Sequence, residues 1–491
     1  MRCQSVSVCK KVVDRTARRC AERGIIIPTF AEMKDPRLVP EKIRRALKTI
    51  GLWDIHPLNL FRITWKNDPE SGGFGKVNFI EIPSSLSGVN ARIVGLVGKF
   101  FPTGAHKVGA SFGCLVPRLV TGNFDPTAHK AVWPSTGNYC RGGAYDSRLL
   151  GCEAIAILPQ EMSRERFDWL KEIGAEVIAT PGCESNVKEI YDKCWELKKT
   201  RDDVVVFNQF DEFGNGMWHY EVTAAAIQEA FESLATGSER LAAYVSATGS
   251  AGTLAAGDRL KELHPGLKIV AAEALQCPTL LLNGFGGHRI EGIGDKHVPW
   301  IHNTRNTDLV VAIDDNDPMA LIRLFNEPAG RAYLRKQNVP AETVDRLDLL
   351  GISSVANLLA CIKTARRLHL SERDVLFTVF TDSIEMYRSR LLELERATGR
   401  YSERQAALDF EVHLRGQHTD FMRELDTQER LRIHNLKYFT WIEQQQKDIQ
   451  ELRAQWDEYQ TYWPLRWRQA GTYDTLIRDF NRRSGMSRKY R

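Results

Sequence analysis

The chain has 491 residues, enough for two or three domains around a large core. Apolar residues make up 43% and charged residues 26%, as in ordinary globular proteins, and no apolar run approaches the ~20 residues of a membrane span. The net charge of +5 lies mostly near the two ends and does not predict a nucleic-acid partner; ten scattered cysteines without a Cys-x-x-Cys pair predict neither a metal site nor a disulfide framework.

The N-terminal segment contains many arginines but also Asp14 and Glu22, and no apolar core follows its start. An export signal is therefore not expected, whereas an organellar transit peptide stays open. The cysteine usage fits a reducing compartment, so we expect a cytoplasmic protein.

Residues 101–111 form a turn followed by helix-compatible sequence, which places Lys107 just inside the start of a helix. The positive end of a helix dipole disfavours a protonated amine and so helps to keep this lysine nucleophilic. A second such turn, residues 133–139, follows an apolar run and contains a Ser-Thr-Gly-Asn sequence. Its hydroxyls and amide suit a carboxylate ligand, although an ordinary N-cap has the same pattern.

Short apolar strands alternate with helices between about residues 90 and 390, which predicts parallel sheets with helices on both faces. The predicted strands are residues 154–158, 176–179, 204–207, 241–245, 267–272 and 309–313, and the predicted helices include residues 164–173 and 254–263.

The segment Ser-Ala-Thr-Gly-Ser-Ala-Gly-Thr, residues 246–253, joins the predicted strand 241–245 to the predicted helix 254–263. Small side chains let the backbone approach a ligand, and the unpaired amides of the first helical turn point at an anion. Hydroxyls on Thr248, Ser250 and Thr253 add donors. This segment predicts a phosphate or carboxylate site, or alternatively a tight packing turn.

Beyond about Gly399 the strands disappear and polar and aromatic residues dominate. Residues 426–429 can cap a long helix, on which apolar residues would follow an alternating three-and-four spacing. Such a seam buries against another helix, either of the same chain, of a second subunit or of a different protein. The seam consists of Leu431, Tyr438, Ile442, Ile449, Leu452, Trp456, Tyr459 and Trp463.

Together and in this order, residues 101–111, 133–139 and 246–253 resemble the tryptophan synthase β/cysteine synthase family of pyridoxal-phosphate enzymes, the fold type II group. The resemblance is closest to its cysteine synthase-like members. The resemblance covers about residues 57–390. Further matching segments are residues 57–63, 91–94, 208–210, 288–294 with 298–299, 351–354 and 375–387.

The resemblance implies an α/β fold of two domains, with parallel or mixed sheets flanked by helices and the cofactor between them. Residues 1–398 would form the catalytic region, with a smaller mobile subdomain at about residues 108–205 nested in it. Residues 399–491 would form a C-terminal α-helical extension with a possible coiled-coil-like seam.

The resemblance also implies a role for each matching residue. Lys107 aligns with the lysine that forms the internal aldimine and later moves the α-proton, and Asn138 with the residue that binds the ring hydroxyl. Thr381 aligns with the hydroxyl residue beside the pyridine nitrogen, which favours passage through an aminoacrylate. Further cofactor contacts would come from His106, Thr248, Gly249, Ser250, Ala251, Gly252, Thr253 and Gly292, and substrate contacts from Ser135, Thr136, Tyr139 and Gln209.

The chain departs from the cysteine synthase pattern at several positions. His106 resembles the tryptophan synthase β sequence and would either help to neutralise the phosphate or form a structural hydrogen bond. Tyr139 and Cys140 replace a small Thr-Gly pair, and residues 295–297, Asp-Lys-His, replace a small apolar segment near the mouth of the site. These departures put ordinary cysteine synthase specificity in doubt.

The resemblance therefore implies pyridoxal 5'-phosphate as the cofactor and β-replacement or β-elimination on a serine- or cysteine-type amino acid. The alternatives are an amino-acid deaminase or racemase of the same fold, and a non-catalytic scaffold. We expect a homodimer that acts on a small amino acid and binds no metal, nucleic acid or membrane.

Overall fold

The computed structural model describes residues 7–135, 137–182 and 186–490. Its strands are β1 (Phe79–Ile82), β2 (Arg92–Val97), β3 (Lys130–Pro134), β4 (Glu153–Pro159), β5 (Glu176–Thr180), β6 (Val204–Val206), β7 (Arg240–Ala247), β8 (Lys268–Ala274), β9 (Leu309–Ile313), β10 (Asp374–Phe380) and β11 (Met422–Glu424). The predicted strands between residues 154 and 313 agree with these bounds to within two residues at each end.

The α-helices separate and cover these strands. They are α1 (Lys10–Glu22), α2 (Phe30–Lys34), α3 (Glu41–Leu47), α4 (Ser84–Ser87), α5 (Lys107–Thr121), α6 (Asn138–Leu149), α7 (Arg164–Glu172), α8 (Val187–Thr200), α9 (Phe213–Trp218), α10 (Ala224–Leu234), α11 (Leu254–Leu263), α12 (Thr279–Leu282), α13 (Asn316–Asn326), α14 (Pro328–Lys336), α15 (Ala341–Asp345), α16 (Ile352–Arg367), α17 (Arg388–Thr398), α18 (Glu403–Asp409), α19 (Thr427–Lys437), α20 (Ile449–Asp457), α21 (Tyr459–Trp467), α22 (Ala470–Arg483) and α23 (Met486–Tyr490).

Two sheets organise the described part of the chain. The smaller has four parallel strands in the order β5-β4-β3-β6, and Val132 pairs with Ile155 on one side and Val206 on the other. The larger has seven strands in the order β1-β2-β10-β7-β8-β9-β11. Its interior strands are parallel, whereas the edge strands β1 and β11 run antiparallel to their neighbours. The predicted α/β class with parallel or mixed sheets is confirmed.

The larger sheet is buried on both faces because successive side chains of a strand point to opposite sides. In β7, Tyr244 packs into the core that contains α5, whereas Ala243 and Val245 pack into the core that contains α16. The loops that follow β7 and β10 therefore emerge from a sheet held rigidly between two layers of helices.

The C-terminal extension differs from its prediction in two respects. A short strand, β11, pairs with β9, and its Met-Arg-Glu sequence has no apolar alternation that would indicate it. The long helix predicted after Asp426 is shorter than expected: α19 continues as a π-helical stretch, Tyr438–Gln444, and ends there. Gln446 then adopts a positive φ of 57°, and Asp448 caps a new helix, α20. The seam residues therefore lie on separate helices.

The extension packs on the rest of the same chain. Leu452 lies in an apolar cluster with Phe210, and Trp463 in one with Tyr220, whereas Tyr438 is exposed. Farther on, Asp474 accepts hydrogen bonds from the amides that begin α2. None of the helices in the described ranges is long and apolar enough to cross a membrane.

Candidate functional site

Lys107 is the first residue of α5, as its position in the sequence predicts. Its side chain is partly exposed, and its Nζ donates a hydrogen bond to Ser250 Oγ at 3.3 Å. Burial among protein atoms lowers the pKa of Lys107 to about 8. About a tenth of this amine is therefore uncharged at pH 7, far more than for a lysine with the ordinary pKa, and an uncharged amine is a nucleophile for a carbonyl group.

The loop between β7 and α11 has the geometry of an anion site. The backbone amides of residues 249–253 form no hydrogen bond with any described residue, and they precede the positive end of the α11 dipole. Ala251 has a φ of 61°, in the left-handed region that residues with a side chain rarely adopt. Strain of this kind is typical of a loop shaped to present its backbone to a ligand.

The hydroxyls of this loop have a different role from the predicted one. Thr248 Oγ1 donates to the carbonyl of Ala272 at 3.0 Å, and Ser246 and Thr253 share a hydrogen bond of 2.7 Å. These hydroxyls hold the loop to its own sheet. Of the three predicted donors, Ser250 is the one that faces Lys107.

Asn215 braces the same loop and is absent from the predicted site residues. Its Nδ2 donates to Ser250 Oγ at 3.0 Å and to the carbonyl of Gln209 at 2.9 Å. A Cβ at Gly252 would lie 2.0 Å from Asn215 Oδ1, so a glycine is required at that position. The flanking glycines of Asn215 are the sequence signal for this close packing.

Asn138 begins α6 and reaches across to the end of β10. Its Nδ2 donates to Asp382 Oδ2 at 2.6 Å, an oxygen that also accepts from the Tyr387 hydroxyl at 2.8 Å. Asn138 Oδ1 is buried and without a hydrogen bond in the described structure. Burial raises the pKa of Asp382. Asp382 is not among the predicted residues. It follows the fully buried strand β10 by two positions, and a carboxylate at such a place is the sequence signal by which it could be found.

Thr381 and His106 contact each other, with 3.2 Å between Thr381 Oγ1 and His106 Nε2. Burial, and then the charge of Lys107, lower the pKa of His106 well below its usual range. A neutral imidazole does not neutralise a phosphate, so this contact favours the structural role among the two considered. The position of Thr381 beside a pyridine nitrogen stays a prediction, and the hydroxyl of buried Ser383 lies two residues further on.

Ser135 and Gln209, both predicted to contact the substrate, lie within hydrogen-bond distance of each other. Gln209 Nε2 donates to Ser135 Oγ at 3.2 Å, and the amide of Gly137 donates to the same oxygen at 3.1 Å. Both side chains are buried. Thr136 lies outside the described residues.

Tyr139 lies in the core next to α5, and its predicted contact with the substrate stays a prediction. It is buried, its ring packs edge-on against Trp133 with centroids 5.4 Å apart, and it belongs to the core cluster that contains Cys114. Because α6 turns its second residue toward α5, the phenol fills the space between these helices. In this conformation Tyr139 is a packing residue.

Gly292 lies against the loop between β7 and α11, residues 248–253, which is called the phosphate-type loop below. It has a φ of 96°, and a Cβ on Gly249 would approach its carbonyl oxygen to 3.3 Å. Two residues later, the amide of Gly294 donates to the carbonyl of Thr248 at 2.8 Å. This segment therefore forms one wall beside the loop.

Residues 99–382, more than half of the chain, match the family model described as "Pyridoxal-phosphate dependent enzyme". The chain belongs to this family. It is 31% identical over 302 residues to a probable cysteine synthase of Bacillus subtilis, covering 61% of this chain and 89% of that protein. It is 26% identical over 324 residues to a cystathionine beta-synthase of Saccharomyces cerevisiae, covering 64% and 60%.

Two solved structures share the fold of the larger part of this chain. A hydrogen sulfide-producing enzyme from Fusobacterium nucleatum superimposes with a TM-score of 0.55 at 25% identity, covering 67% of this chain and 92% of that one. A cysteine synthase from Entamoeba histolytica also gives a TM-score of 0.55, at 22% identity, with 68% and 92% covered.

The cofactor of this family is pyridoxal 5'-phosphate, and the residues present fit it. The unpaired amides of residues 249–253 match a phosphate group, and the amine of Lys107 matches the cofactor's carbonyl carbon.

Proposed function

We propose that this pyridoxal-phosphate enzyme catalyses β-replacement or β-elimination on a serine- or cysteine-type amino acid. The observation that carries the proposal is the junction at Ser250, whose hydroxyl lies between the Lys107 amine and Asn215. The short distance between the Lys107 amine and Ser250 supports a site in which the amine and the amides of residues 249–253 hold one cofactor. The relatives named cysteine synthase and cystathionine beta-synthase support the same class of reaction.

The proposed cofactor contacts follow from these positions. The amides of Gly249 to Thr253 bind the phosphate, with Thr248 and Gly292 supporting the loop. Asn138, whose Oδ1 has no partner among the described residues, would bind the ring hydroxyl, and Thr381 would provide a hydroxyl to the pyridine nitrogen, with His106 as its neighbour. When bound, the cofactor supplies the electron withdrawal that weakens the Cα–H bond of the amino acid.

The proposed substrate contacts come from the turn after β3 and from Gln209. Ser135 and Gln209, together with Thr136, bind the substrate carboxylate through hydroxyl and amide donors. Lys107 accepts the proton from the substrate Cα, because its lowered pKa leaves a free amine near neutral pH. A homodimer and a cytoplasmic location remain part of the proposal as expected from the sequence.

The reaction is tested by incubating the purified protein with O-acetylserine, O-phosphoserine, serine and cysteine, each with and without sulfide. We expect pyruvate where elimination occurs and a new amino acid where sulfide replaces the β-substituent. The Lys107→Ala variant provides the control and should form neither product. Racemised or deaminated amino acid that still carries its β-substituent would instead support the deaminase or racemase alternative. No product at all would contradict the proposal.

A further inference from the structure

A carboxylate–imidazole pair lies next to the wall formed by Gly292 and Gly294. Asp295 Oδ1 is 3.1 Å from His297 Nδ1 and also accepts from the His297 amide at 3.2 Å. Asp295 is buried, and its second oxygen, Oδ2, has no hydrogen-bond partner among the described residues. A buried carboxylate oxygen without a donor is costly unless something binds to it.

The chain on either side of the pair is hydrogen-bonded to two parts of the candidate site. On one side, the Gly294 amide donates to the Thr248 carbonyl, and on the other, the Ile301 amide donates to the Phe210 carbonyl at 3.3 Å. Tyr191 of α8 faces the imidazole, with ring centroids 5.9 Å apart. Its hydroxyl is also buried without a hydrogen bond in the part of the chain that is described.

The C-terminal extension holds this segment in place. Trp441 Nε1 donates to the carbonyl of Val298 at 2.8 Å. Lys437 Nζ donates to the carbonyls of Trp300 at 3.0 Å and His302 at 2.7 Å. These contacts begin directly after His297, so the extension fixes the direction in which the chain leaves the pair. The extension lies beyond the residues that match the family model.

We propose that Asp295 and His297 act as an acid–base pair on the β-substituent of the substrate. This inference rests on the proposed function. With Nδ1–H donating to Asp295 Oδ1, Nε2 is the nitrogen left to exchange a proton. When Lys107 takes the Cα proton, the electron pair of the Cα–H bond forms a double bond between Cα and the β-carbon. The bond from the β-carbon to the leaving atom breaks at the same time, its electron pair stays with that atom, and the proton on Nε2 joins it.

The imidazole then regains a proton from the next reactant. In replacement, an incoming thiol gives its proton to Nε2 while a sulfur electron pair forms the new bond to the β-carbon. The electron pair of the Cα=Cβ double bond returns to Cα, which takes back the proton held by Lys107. In elimination, water supplies the proton. A pair of this kind serves amino acids whose leaving group must be protonated, such as the thiol of cysteine or the hydroxyl of serine.

The test compares cysteine with β-chloroalanine, because chloride leaves without a proton. For Asp295→Asn and His297→Gln, we expect kcat/KM for cysteine to fall about 100-fold or more, as for loss of a general acid. The same variants should process β-chloroalanine at the parent rate. The cofactor absorbance, and the affinity for alanine measured by absorbance titration, should not change, because alanine has no leaving group.

Asp374→Asn is the matched control, since Asp374 is a buried carboxylate at the opposite end of β10 from the site. It should leave the ratio of the two activities at the parent value. An equal loss on cysteine and β-chloroalanine in the Asp295 and His297 variants, or no loss on either, would overturn the acid–base role. A parent protein that loads cofactor but turns over neither compound would contradict the proposed function itself, and the pair's role with it.

Discussion

Lys107 shows how the environment of one residue sets its chemistry. A helix start is visible in the sequence, but the burial that lowers its pKa comes from residues distant in the chain. Free amine is the form that reacts with the cofactor, so attachment of pyridoxal phosphate to the cofactor-free protein should accelerate with pH around a midpoint near 8. Stopped-flow absorbance at a series of pH values measures this. A midpoint near the ordinary lysine value would contradict the burial argument.

The same shift affects stability with a definite sign. Above pH 8, the folded lysine is neutral while the unfolded lysine stays protonated up to its ordinary pKa of 10.5. The unfolded state then binds more protons, so this residue makes the free energy of unfolding rise with pH across that window.

Gly252 tests whether the loop needs its close contact with Asn215. Gly252→Ala places a Cβ where Asn215 Oδ1 lies, and should move Asn215 away from Ser250. We expect the affinity for pyridoxal phosphate to fall about tenfold or more, which corresponds to the loss of about one hydrogen bond to the loop. Gly471→Ala is the matched control, because nothing lies within 4 Å of its added Cβ. Equal cofactor affinity in both variants would show that the loop adjusts freely.

Two hydroxyls compete for the position beside the pyridine nitrogen. If Thr381 holds it, Thr381→Val should change the absorbance spectrum of the bound cofactor and weaken its binding by about 0.5–1.5 kcal/mol. Ser383→Ala should then have little effect. The reverse pattern would assign the position to Ser383 and leave Thr381 as the partner of His106.

At the scale of elements, periodicity predicted well where packing is local. Helix α11 and strand β9 have the bounds expected from their apolar patterns. β11 could not be predicted, because its pairing with β9 joins residues far apart in the sequence. Asn215 and Asp382 were not predicted for the same reason. Their hydrogen-bond partners, Ser250 and Asn138, are distant in the sequence and are brought near only by the fold.

Lys437 is the element-scale anchor of the extension. Its side-chain nitrogen is fully buried and donates to the carbonyls of Trp300 and His302 and to Gln455 Oε1. Burial lowers the pKa of this amine well below its usual range. Lys437→Met leaves these acceptors without a donor, and we expect the free energy of unfolding to fall by about 2–4 kcal/mol. Denaturant unfolding checks this, with the exposed Lys489→Met as control. A Lys437 variant as stable as the parent would mean that the extension does not depend on this anchor.

At the scale of the whole molecule, the C-terminal helix α22 is hydrogen-bonded to the segment that precedes α2 near the N-terminus. Asn481 of α22 exchanges hydrogen bonds with the backbone of Ile27, and Asp474 caps the helix that follows. The family fold could be inferred from ordered motifs, since each one places a known function at the end of a strand. The contact between α22 and the N-terminal segment could not be inferred, because its residues lie outside the resemblance and pair across the length of the chain.

The central claim is that Lys107 binds pyridoxal phosphate covalently. Reduction of the purified protein with borohydride, followed by proteolysis and mass spectrometry of the peptides, locates the attached cofactor. We expect a yellow protein with the adduct on the peptide that contains Lys107, and no adduct in Lys107→Ala. A protein that cannot be loaded with cofactor, or an adduct on another lysine, would contradict the account.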